Sequence, residues 1–224
     1  MNKLDSTSQA RAYRFLKEAI LDLEFKLNAP LRAQSLAETL KLSRTPVREA
    51  LGRLEQEGLV VRDRGWGYIV KPVTLKEALD VYKVRESLEV EAVREIMPNV
   101  NSKILLELKN HLKRAGEKAK LGRLNEYRKH TREFYKAIAN ATSNDWLCFM
   151  ISLIDDRIRL LGAIMANRHL ERPQESLVEN RAVLAAIEAG DADAAEIAVR
   201  KHIGSAKETL SKYVISGAAA LTLG

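Results

Sequence analysis

The sequence predicts a mainly α-helical protein, in which an N-terminal winged helix-turn-helix is followed by an all-α antiparallel six-helix bundle. Aromatic residues make up only 5% of the 224 residues, with 11 Gly and 5 Pro, a composition that favours helices over a β-sandwich. Apolar residues recur at helical spacing along almost the whole chain. Only residues 59–72 alternate as paired strands do. We therefore predict two domains, over residues 1–72 and 73–224.

The charge and the cysteine content limit the possible partners and locations. Net charge is +7, and residues 1–72 hold 13 basic against 9 acidic side chains, which suits a polyanionic partner. The single cysteine, Cys148, cannot form an internal disulfide, which favours a reducing compartment. The stretch MNKLDSTSQAR has no apolar signal-peptide core, and no segment approaches the ~18 apolar residues of a spanning helix. We expect a soluble, cytoplasmic protein with no membrane partner.

Two helices are predicted at the start of the first domain. The stretch SQARAYRFLKEAILDLEF is amphipathic, and KLNAPLR ends it. Its apolar face is formed by Ala12, Phe15, Leu16, Ala19, Ile20 and Leu23. A second, short helix is expected from about Ala33 to Leu40, with Leu36, Ala37 and Leu40 on its buried face.

A third helix is predicted within LSRTPVREALGRLEQEGLV. Its buried stripe, within an arc of about 100°, is formed by Val47, Ala50, Leu51 and Leu54. An adjoining polar stripe is formed by Thr45, Arg48, Gly52 and Gln56. Pro46 lies in the first turn, after a cap at Ser43 or Thr45, and Gly58 closes the helix. A short helix, a tight turn and a helix with an uncovered first turn form a helix-turn-helix, whose free N–H groups can bind a phosphate.

The stretch LVVRDRGWGYIVKP predicts a two-stranded hairpin with the turn at Arg64-Gly65-Trp66-Gly67. Directly after a helix-turn-helix, such a hairpin is the wing of a winged helix. The glycines permit positive φ and close backbone approach, and Arg64 supplies charge. An ordinary surface hairpin is the alternative.

Six helices are predicted in the second domain, at about 74–96, 102–121, 124–140, 145–166, 174–189 and 192–214. Polar residues interrupt four of their apolar stripes, namely Arg85, Thr131 with Tyr135, Asn180 and His202. Buried polar groups need partners, and a buried guanidinium needs an anion. Either these groups satisfy each other, with Arg85 paired to Glu89 or another acid, or they line a cavity in which a carboxylate ligand faces Arg85.

The stretch LAETLKLSRTPVREALGRLEQEGLVVRDRGWGYIVKP resembles the DNA-binding domain of GntR-type bacterial transcription regulators, most specifically from Ser43 to Leu51. The resemblance, together with the ability of Arg and Thr to bind bases and phosphates, assigns DNA contacts to Gln34, Ser43, Arg44, Thr45, Arg48, Arg64 and Gly65. The alternative for Arg44 and Arg48 is surface pairing with Glu49 or Glu55.

Two positions depart from the pattern of that family. Lys41 replaces the usual turn Gly, at a cost of about 1 kcal/mol if its φ is positive. Gln34 replaces an Arg that often contacts DNA, which implies a different base preference. Gly52, in the middle of a helix, either lets the backbone approach DNA or is incidental, and we favour the second explanation.

The second domain resembles the FCD effector domain of the FadR branch of the GntR family, through VRESLEVEA and AIEAGDADAAEIAVRKHI. In many such domains an Asp and three His bind a divalent metal at the positions of Thr131, Tyr135, Asn180 and His202. Only His202 is retained, and Thr, Tyr and Asn are poor ligands for such metals. We expect no metal or other cofactor, and an organic acid held directly by Arg85 and these four residues. The other histidines, His111, His130 and His169, show no ligand spacing and are expected to be solvated.

The resemblance implies a ligand-responsive regulator, a repressor, that binds a pseudo-palindromic double-stranded operator as a homodimer. An enzyme is the first rival, but the chain shows no paired nucleophile and base, phosphate loop or metal-ligand set. A structural or RNA-binding protein is the second, and the sequence offers no aromatic stacking platform for single strands.

Overall fold

The computed structural model describes residues 8–65, 67–168 and 172–215. The chain divides into two compact units, Met1–Thr74 and Leu75–Gly224. Over residues 8–65 and 67–74, the first unit contains three helices, α1 (Ser8–Leu21), α2 (Ala33–Leu40) and α3 (Arg44–Gln56), followed by strands β1 (Val60–Asp63) and β2 (Gly67–Val70).

The core of the first unit forms where α1 packs against α3. Leu16 and Ile20 of α1 are fully buried, as are Leu51 and Leu54 of α3. The buried stripe of α3 is therefore the one that periodicity predicts. Two residues of the apolar face predicted for α1 are not part of its buried face. Phe15 is 40% exposed, and α1 ends two residues before Leu23.

The turn between α2 and α3 is tight because α2 ends in a left-handed residue. Lys41 has φ 53° and ψ 49°, and the backbone N–H groups of Lys41 and Leu42 donate to Glu38 O and Ala37 O. This is the hydrogen-bond pattern that usually selects glycine at this position. Helix α3 then begins at Arg44, after an N-cap at Ser43 whose side chain makes no capping hydrogen bond.

The two strands pair antiparallel, with Val60 opposite Val70 and Arg62 opposite Tyr68. At the turn, the N–H of Gly65 donates to Asp63 Oδ1 at 2.9 Å, and Gly67 has φ 85°, which a side chain would strain. Trp66, which the sequence also places in this turn, lies outside the described residues. The predicted wing is present.

In its described residues, the second unit is a bundle of six α-helices. They are α4 (Leu75–Glu95), α5 (Ser102–Lys120), α6 (Leu124–Ala141), α7 (Asp145–Asn167), α8 (Pro173–Ala189) and α9 (Ala192–Ile215). A short 3₁₀ helix, Met97–Asn99, links α4 to α5. Helix α9 begins at the predicted cap, where Asp191 Oδ1 accepts from the N–H of Ala194 at 2.9 Å. The predicted fold class, a winged helix-turn-helix followed by a helical bundle, is confirmed.

Candidate DNA-binding groove and bundle cavity

A groove of about 520 Å³ in the first unit brings together the start of α2, the start of α3 and the wing. We call it the head groove. Its lining residues are Leu31, Arg32, Ala33, Gln34, Arg44, Arg48, Arg62, Asp63, Gly67 and Tyr68. Four arginines and one aspartate therefore face one concave surface, which attracts a polyanion.

The two α3 arginines in the head groove are exposed, and no acidic side chain of the described residues neutralises their charges. Arg44 and Arg48 are both exposed, and within the described residues neither forms an ion pair or side-chain hydrogen bond. Glu55, one of the acids that could have neutralised them, pairs instead with Arg62 at 3.2 Å. Surface pairing of Arg44 and Arg48 with Glu49 or Glu55 is therefore not observed.

The other predicted DNA contacts lie around the head groove. Ser43 and Thr45 are exposed at the start of α3, and Arg64 and Gly65 are exposed at the turn of the wing, but none of the four lines the groove. Gln34 does line it, and its Nε2 donates to Glu38 Oε1 at 2.6 Å. The DNA-contact role of all these residues stays a prediction.

Arg32, Arg62 and Tyr68 line the head groove although sequence reasoning did not select them. The guanidinium of Arg62 lies 5.8 Å from the ring centroid of Tyr68, the residue opposite it in the hairpin. The alternation of β1 could have indicated an outward Arg62. Nothing local to Arg32 indicates its position, because it faces the groove only once α2, α3 and the wing have packed.

The second unit contains a cavity of about 120 Å³ between its helices. We call it the bundle cavity. Its lining residues are Tyr82, Arg85, Tyr127, Arg128, Thr131, Arg132, Ile158, Gly162, Met165, Arg172, Ser176, His202 and Ala206. Three of the five predicted effector-binding residues, Arg85, Thr131 and His202, are among them.

Arg85 is buried and already has an anionic partner. Its Nε donates to Glu89 Oε1 at 2.7 Å, and its guanidinium lies 5.3 Å from the ring centroid of Tyr135. Burial alone would lower the pKa of Arg85, but the Glu89 carboxylate outweighs this and raises it above the ordinary value. Of the two interpretations left open by the sequence, pairing with Glu89 is the one observed, while Arg85 also lines the cavity.

Tyr135 and Asn180 bond to each other and do not line the bundle cavity. The Tyr135 hydroxyl donates to Asn180 Oδ1 at 2.9 Å, and both side chains are buried. Burial, and then the negative charge of Glu89, raise the pKa of Tyr135 well above its usual range, so it remains a hydroxyl donor. Their role as effector contacts stays a prediction, and it would require them to exchange this hydrogen bond.

His202 is held by a carboxylate that the sequence did not single out. Glu179 Oε2 accepts from His202 Nδ1 at 3.0 Å, and both Glu179 oxygens accept from Arg172 at 3.0 Å. Burial would raise the pKa of Glu179, but the hydrogen bonds from His202 and Arg172 lower it to about 2. Burial lowers the pKa of His202 below its ordinary 6.5, and Glu179 opposes this only in part, so the ring is neutral at pH 7.

The positions that carry metal ligands in many FCD domains do not fit a metal in this chain. Thr131 Oγ1 donates to the backbone oxygen of Arg128 at 2.9 Å, and Tyr135 and Asn180 satisfy each other. His202 is the only one of the four with a strong donor for Zn²⁺ or Ni²⁺, and a single imidazole does not hold such an ion. In the parts of the chain described, no three His, Cys, Asp or Glu side chains form a metal-binding group.

His111 and His130 are only partly solvated, whereas the sequence led us to expect solvated histidines. Both are half-buried, their ring centroids lie 6.3 Å apart and neither Nδ1 has a hydrogen-bond partner. They come together because α5 packs on α6, which spacing along the chain cannot show. His169 lies outside the described residues.

Comparison with protein families gives two matches that together span most of the chain. Residues 80–205 match the FCD domain, and residues 8–70 match the model described as bacterial regulatory proteins, gntR family. No helix in the described segments is long and apolar enough to cross a membrane.

Individual regulators are similar over most of their length. The HTH-type transcriptional regulator LutR of Bacillus subtilis is 27% identical over 199 residues, covering 80% of this chain and 90% of that protein. The HTH-type transcriptional repressor RspR of Escherichia coli is 21% identical over 202 residues, covering 88% and 86%.

Solved structures share the fold. McbR/YncC of E. coli has a TM-score of 0.78 at 23% identity, covering 93% of this chain and 99% of that one. A GntR-type regulator from Rhodococcus sp. RHA1 has a TM-score of 0.79 at 22% identity, covering 91% and 97%.

Proposed function

The chain belongs to the GntR family of bacterial transcription regulators with an FCD domain, and from this premise we propose that it is a dimeric repressor controlled by a small organic acid. The head groove binds operator DNA, and the bundle cavity binds the effector. A repressor is favoured because similar proteins include one named as such, RspR. The cytoplasm is its proposed location, because there it meets both DNA and metabolites.

One observation supports DNA binding above the others, namely that two exposed arginines of α3 have no acidic partner in the part of the chain that the structure describes. A guanidinium that is not neutralised can fork onto guanine O6 and N7 or bind a phosphate. Arg44 and Arg48 meet this condition at the open end of α3, where backbone N–H groups add positive potential. The wing then adds Arg62 and Arg64 beside the same surface.

A dimer explains how a DNA-binding unit as small as Met1–Thr74 would recognise a specific operator. Two winged helices related by a twofold axis contact half-sites one helical turn apart, roughly 34 Å, so the operator is pseudo-palindromic. A candidate dimer surface is the α7 stripe, which we define as Trp146, Phe149, Met150 and Leu153. These apolar side chains occur at helical spacing on one face, and they are 40–72% exposed. Such a patch is typical of a self-complementary interface.

The effector acts by differential affinity for two conformations of the dimer. A carboxylate bound among the arginines of the bundle cavity would be desolvated, and its charged hydrogen bonds would be strong. Its binding can therefore favour one arrangement of the surrounding helices over another. We assign the cavity to binding and not to catalysis, since its lining offers no nucleophile held by a base.

The DNA-binding proposal is tested by Arg48→Ala, which should weaken operator binding by about 1–3 kcal/mol because one base or phosphate contact is lost. Operator fragments are first selected from random duplex DNA, and affinity is then measured by fluorescence anisotropy. Lys129→Ala, which removes an exposed positive charge from α6, is the control and should bind like the wild type. Unchanged affinity of the Arg48 variant, with normal folding by circular dichroism, would refute the assignment.

We also propose that the bundle works without a metal. Three of the four family ligand positions hold Thr131, Tyr135 and Asn180, which bond within the protein. Elemental analysis of purified protein should therefore show far less than one Zn²⁺ or Ni²⁺ per chain. One tightly held ion per chain, lost in His202→Ala, would overturn this proposal.

A further inference from the structure

We infer that Arg132, with Arg128 beside it, binds the carboxylate of the effector at one end of the bundle cavity. This inference rests on the proposed function, in which the cavity holds a small organic acid. It differs from the assignment based on sequence, in which Arg85 faces that carboxylate.

The charge of Arg85 is already balanced. Glu89 lies on the same helix, one turn away, and pairs with Arg85 at 2.7 Å where both side chains are at most 10% exposed. The same is true of Arg172 at another part of the wall, since Glu179 accepts from it with both oxygens. Neither arginine therefore adds net positive charge to the cavity.

Arg132 is in a different situation. Its side chain is 18% exposed, and its Nε is buried without a hydrogen-bond acceptor. The nearest carboxylate, Asp155, lies 3.6 Å from that nitrogen and is already held by Lys136 Nζ at 2.7 Å. One carboxylate thus faces two cations, and a buried donor is left unsatisfied, which costs free energy unless something else accepts from it.

Neighbouring guanidinium groups lie close to Arg132, although Arg128 has a partner of its own, since it donates to Asn125 Oδ1. Arg128 lies one turn before Arg132 on α6 and lines the same cavity. Burial lowers the pKa of Arg132, Asp155 opposes this, and the nearby Arg159 and Arg128 lower it further. The guanidinium nonetheless stays charged at neutral pH. An anion placed against Arg132 would supply the acceptor that its Nε lacks and would reduce the repulsion from Arg128.

A glycine on α7 makes room for this arrangement. A Cβ added at Gly162 would lie 3.2 Å from Cδ of Arg128, so the stem of Arg128 passes directly over the glycine. Gly162 itself lines the cavity. The bare backbone therefore allows the Arg128 stem to pass at the cavity wall, one turn from Arg132.

The rest of the wall limits the size and polarity of the ligand. Ile158, Met165 and Tyr82 contribute apolar surface, and the volume of about 120 Å³ is below the roughly 300–1,000 Å³ of sites for drug-sized ligands. The ligand class is therefore a small carboxylate with a short, mostly uncharged body. His202 and Ser176 can bind a hydroxyl on that body, since neutral His202 has only Nε2 left for a further hydrogen bond.

The experiment uses the full-length protein and three probes: sodium propionate, sodium lactate and sodium succinate, each compared with sodium chloride at equal ionic strength. Thermal unfolding identifies which probe raises Tm, and isothermal titration calorimetry gives its Kd. Arg132→Gln should weaken the best probe at least about tenfold, because a bidentate charged contact is lost. Lys129→Gln removes a positive charge from an exposed position of the same helix and should leave Kd unchanged. Arg132→Lys, which keeps the charge and loses the fork, should fall between the two.

Two results would overturn the inference in different ways. If Arg132→Gln lowers Tm without changing Kd, Arg132 is a structural residue, and the effector-binding function stands without it. If no probe raises the Tm of the wild type, both the Arg132 site and the small-carboxylate effector are wrong. DNA binding is measured separately through Arg48→Ala, so that part of the proposed function is tested independently.

Discussion

Arg85 and Arg132 show that the role of an arginine depends on whether a neighbouring carboxylate balances its charge. Both are arginines on helices of the bundle, and both line its cavity. Arg85 has a carboxylate of its own one turn away, while Arg132 shares Asp155 with Lys136. Only the first pair can be anticipated from spacing along one helix. The same contrast holds in the first unit, where Arg62 forms an ion pair with Glu55, whereas Arg48 has no acidic partner among the described residues.

Lys41→Gly should raise the free energy of unfolding by about 0.5–1 kcal/mol. The φ of 53° at Lys41 is strained for any residue with a Cβ, and glycine removes that strain. Urea denaturation followed by circular dichroism measures the change. Lys41→Ala is the control, since it keeps the Cβ and should bring no such gain. Equal stabilisation by both would show that backbone strain is not the cause.

Gly52→Ala should also stabilise the protein, by about 0.5–1 kcal/mol, because alanine is the better residue inside a helix. A Cβ at this position would meet nothing within 4 Å, so no steric cost opposes the gain. Urea denaturation measures the stability, and fluorescence anisotropy measures operator affinity, which we expect to be unchanged. A large loss of affinity would instead show that the backbone of α3 approaches DNA at Gly52.

At the scale of secondary-structure elements, different faces of α7 pack into the core, contact α6 and carry exposed apolar side chains. Its buried face includes Leu147, Ile151 and Leu160. Its Gly162 lies under the stem of Arg128, and its Asp155 faces Arg132 and Lys136 of α6. The α7 stripe remains exposed on another face. Within it, the rings of Trp146 and Phe149 pack edge to face with centroids 5.8 Å apart. An ordered aromatic patch on an otherwise packed helix supports a role in association.

Leu153→Glu should convert the dimer to a monomer, because a carboxylate in an apolar interface would be buried without a partner. Size-exclusion chromatography with light scattering measures the mass. Val178→Glu is the matched control, since Val178 is an exposed apolar residue of α8, at 65% against 57% for Leu153. If the Leu153 variant stays dimeric, the interface lies elsewhere. A wild type that is monomeric at micromolar concentration would reject the dimer itself.

At the scale of the whole molecule, the two units divide the chemistry. The unit Met1–Thr74 presents Arg44 and Arg48 on an open groove without acidic partners among the described residues, whereas Leu75–Gly224 buries charged groups such as Arg85 and Glu179 in ion pairs. The Glu179 cluster with His202 and Arg172 ties α8 to α9. Because the pKa of Glu179 is lowered from 4.5 to about 2, the unfolded chain binds a proton there before the folded protein does. Acid therefore destabilises the fold through this group.

Glu179→Gln tests that linkage. At pH 6 the wild type should have the larger free energy of unfolding, and the difference between the two proteins should shrink as the pH falls from about 4.5 to about 2. The reason is that the advantage of the carboxylate is complete above its ordinary pKa and is lost as it becomes protonated in the folded state. Urea denaturation at a series of pH values measures this. A difference that is constant with pH would mean that the charge of Glu179 is not the source of its contribution.

The sequence by itself determined the helices and strands of this protein and the buried and exposed stripes of α3. Helical periodicity, the Pro46 and Gly58 signals around α3 and the alternation of the wing are local properties, since each residue's face depends on a few neighbours in the chain. For that reason the amino-acid order alone identifies the exposed stripe that contains Arg48. The cap at Asp191 is predictable in the same way.

Only the tertiary structure decided which charges are balanced and which residues share a cavity. The contact of Glu179 with His202 joins residues of two different helices, and so does that of Arg132 with Asp155. Tyr135 and Asn180, both selected from sequence, turn towards each other and not into the cavity. The electrostatic free energy of a buried group depends on partners that packing brings from distant positions in the chain, and no local pattern specifies them.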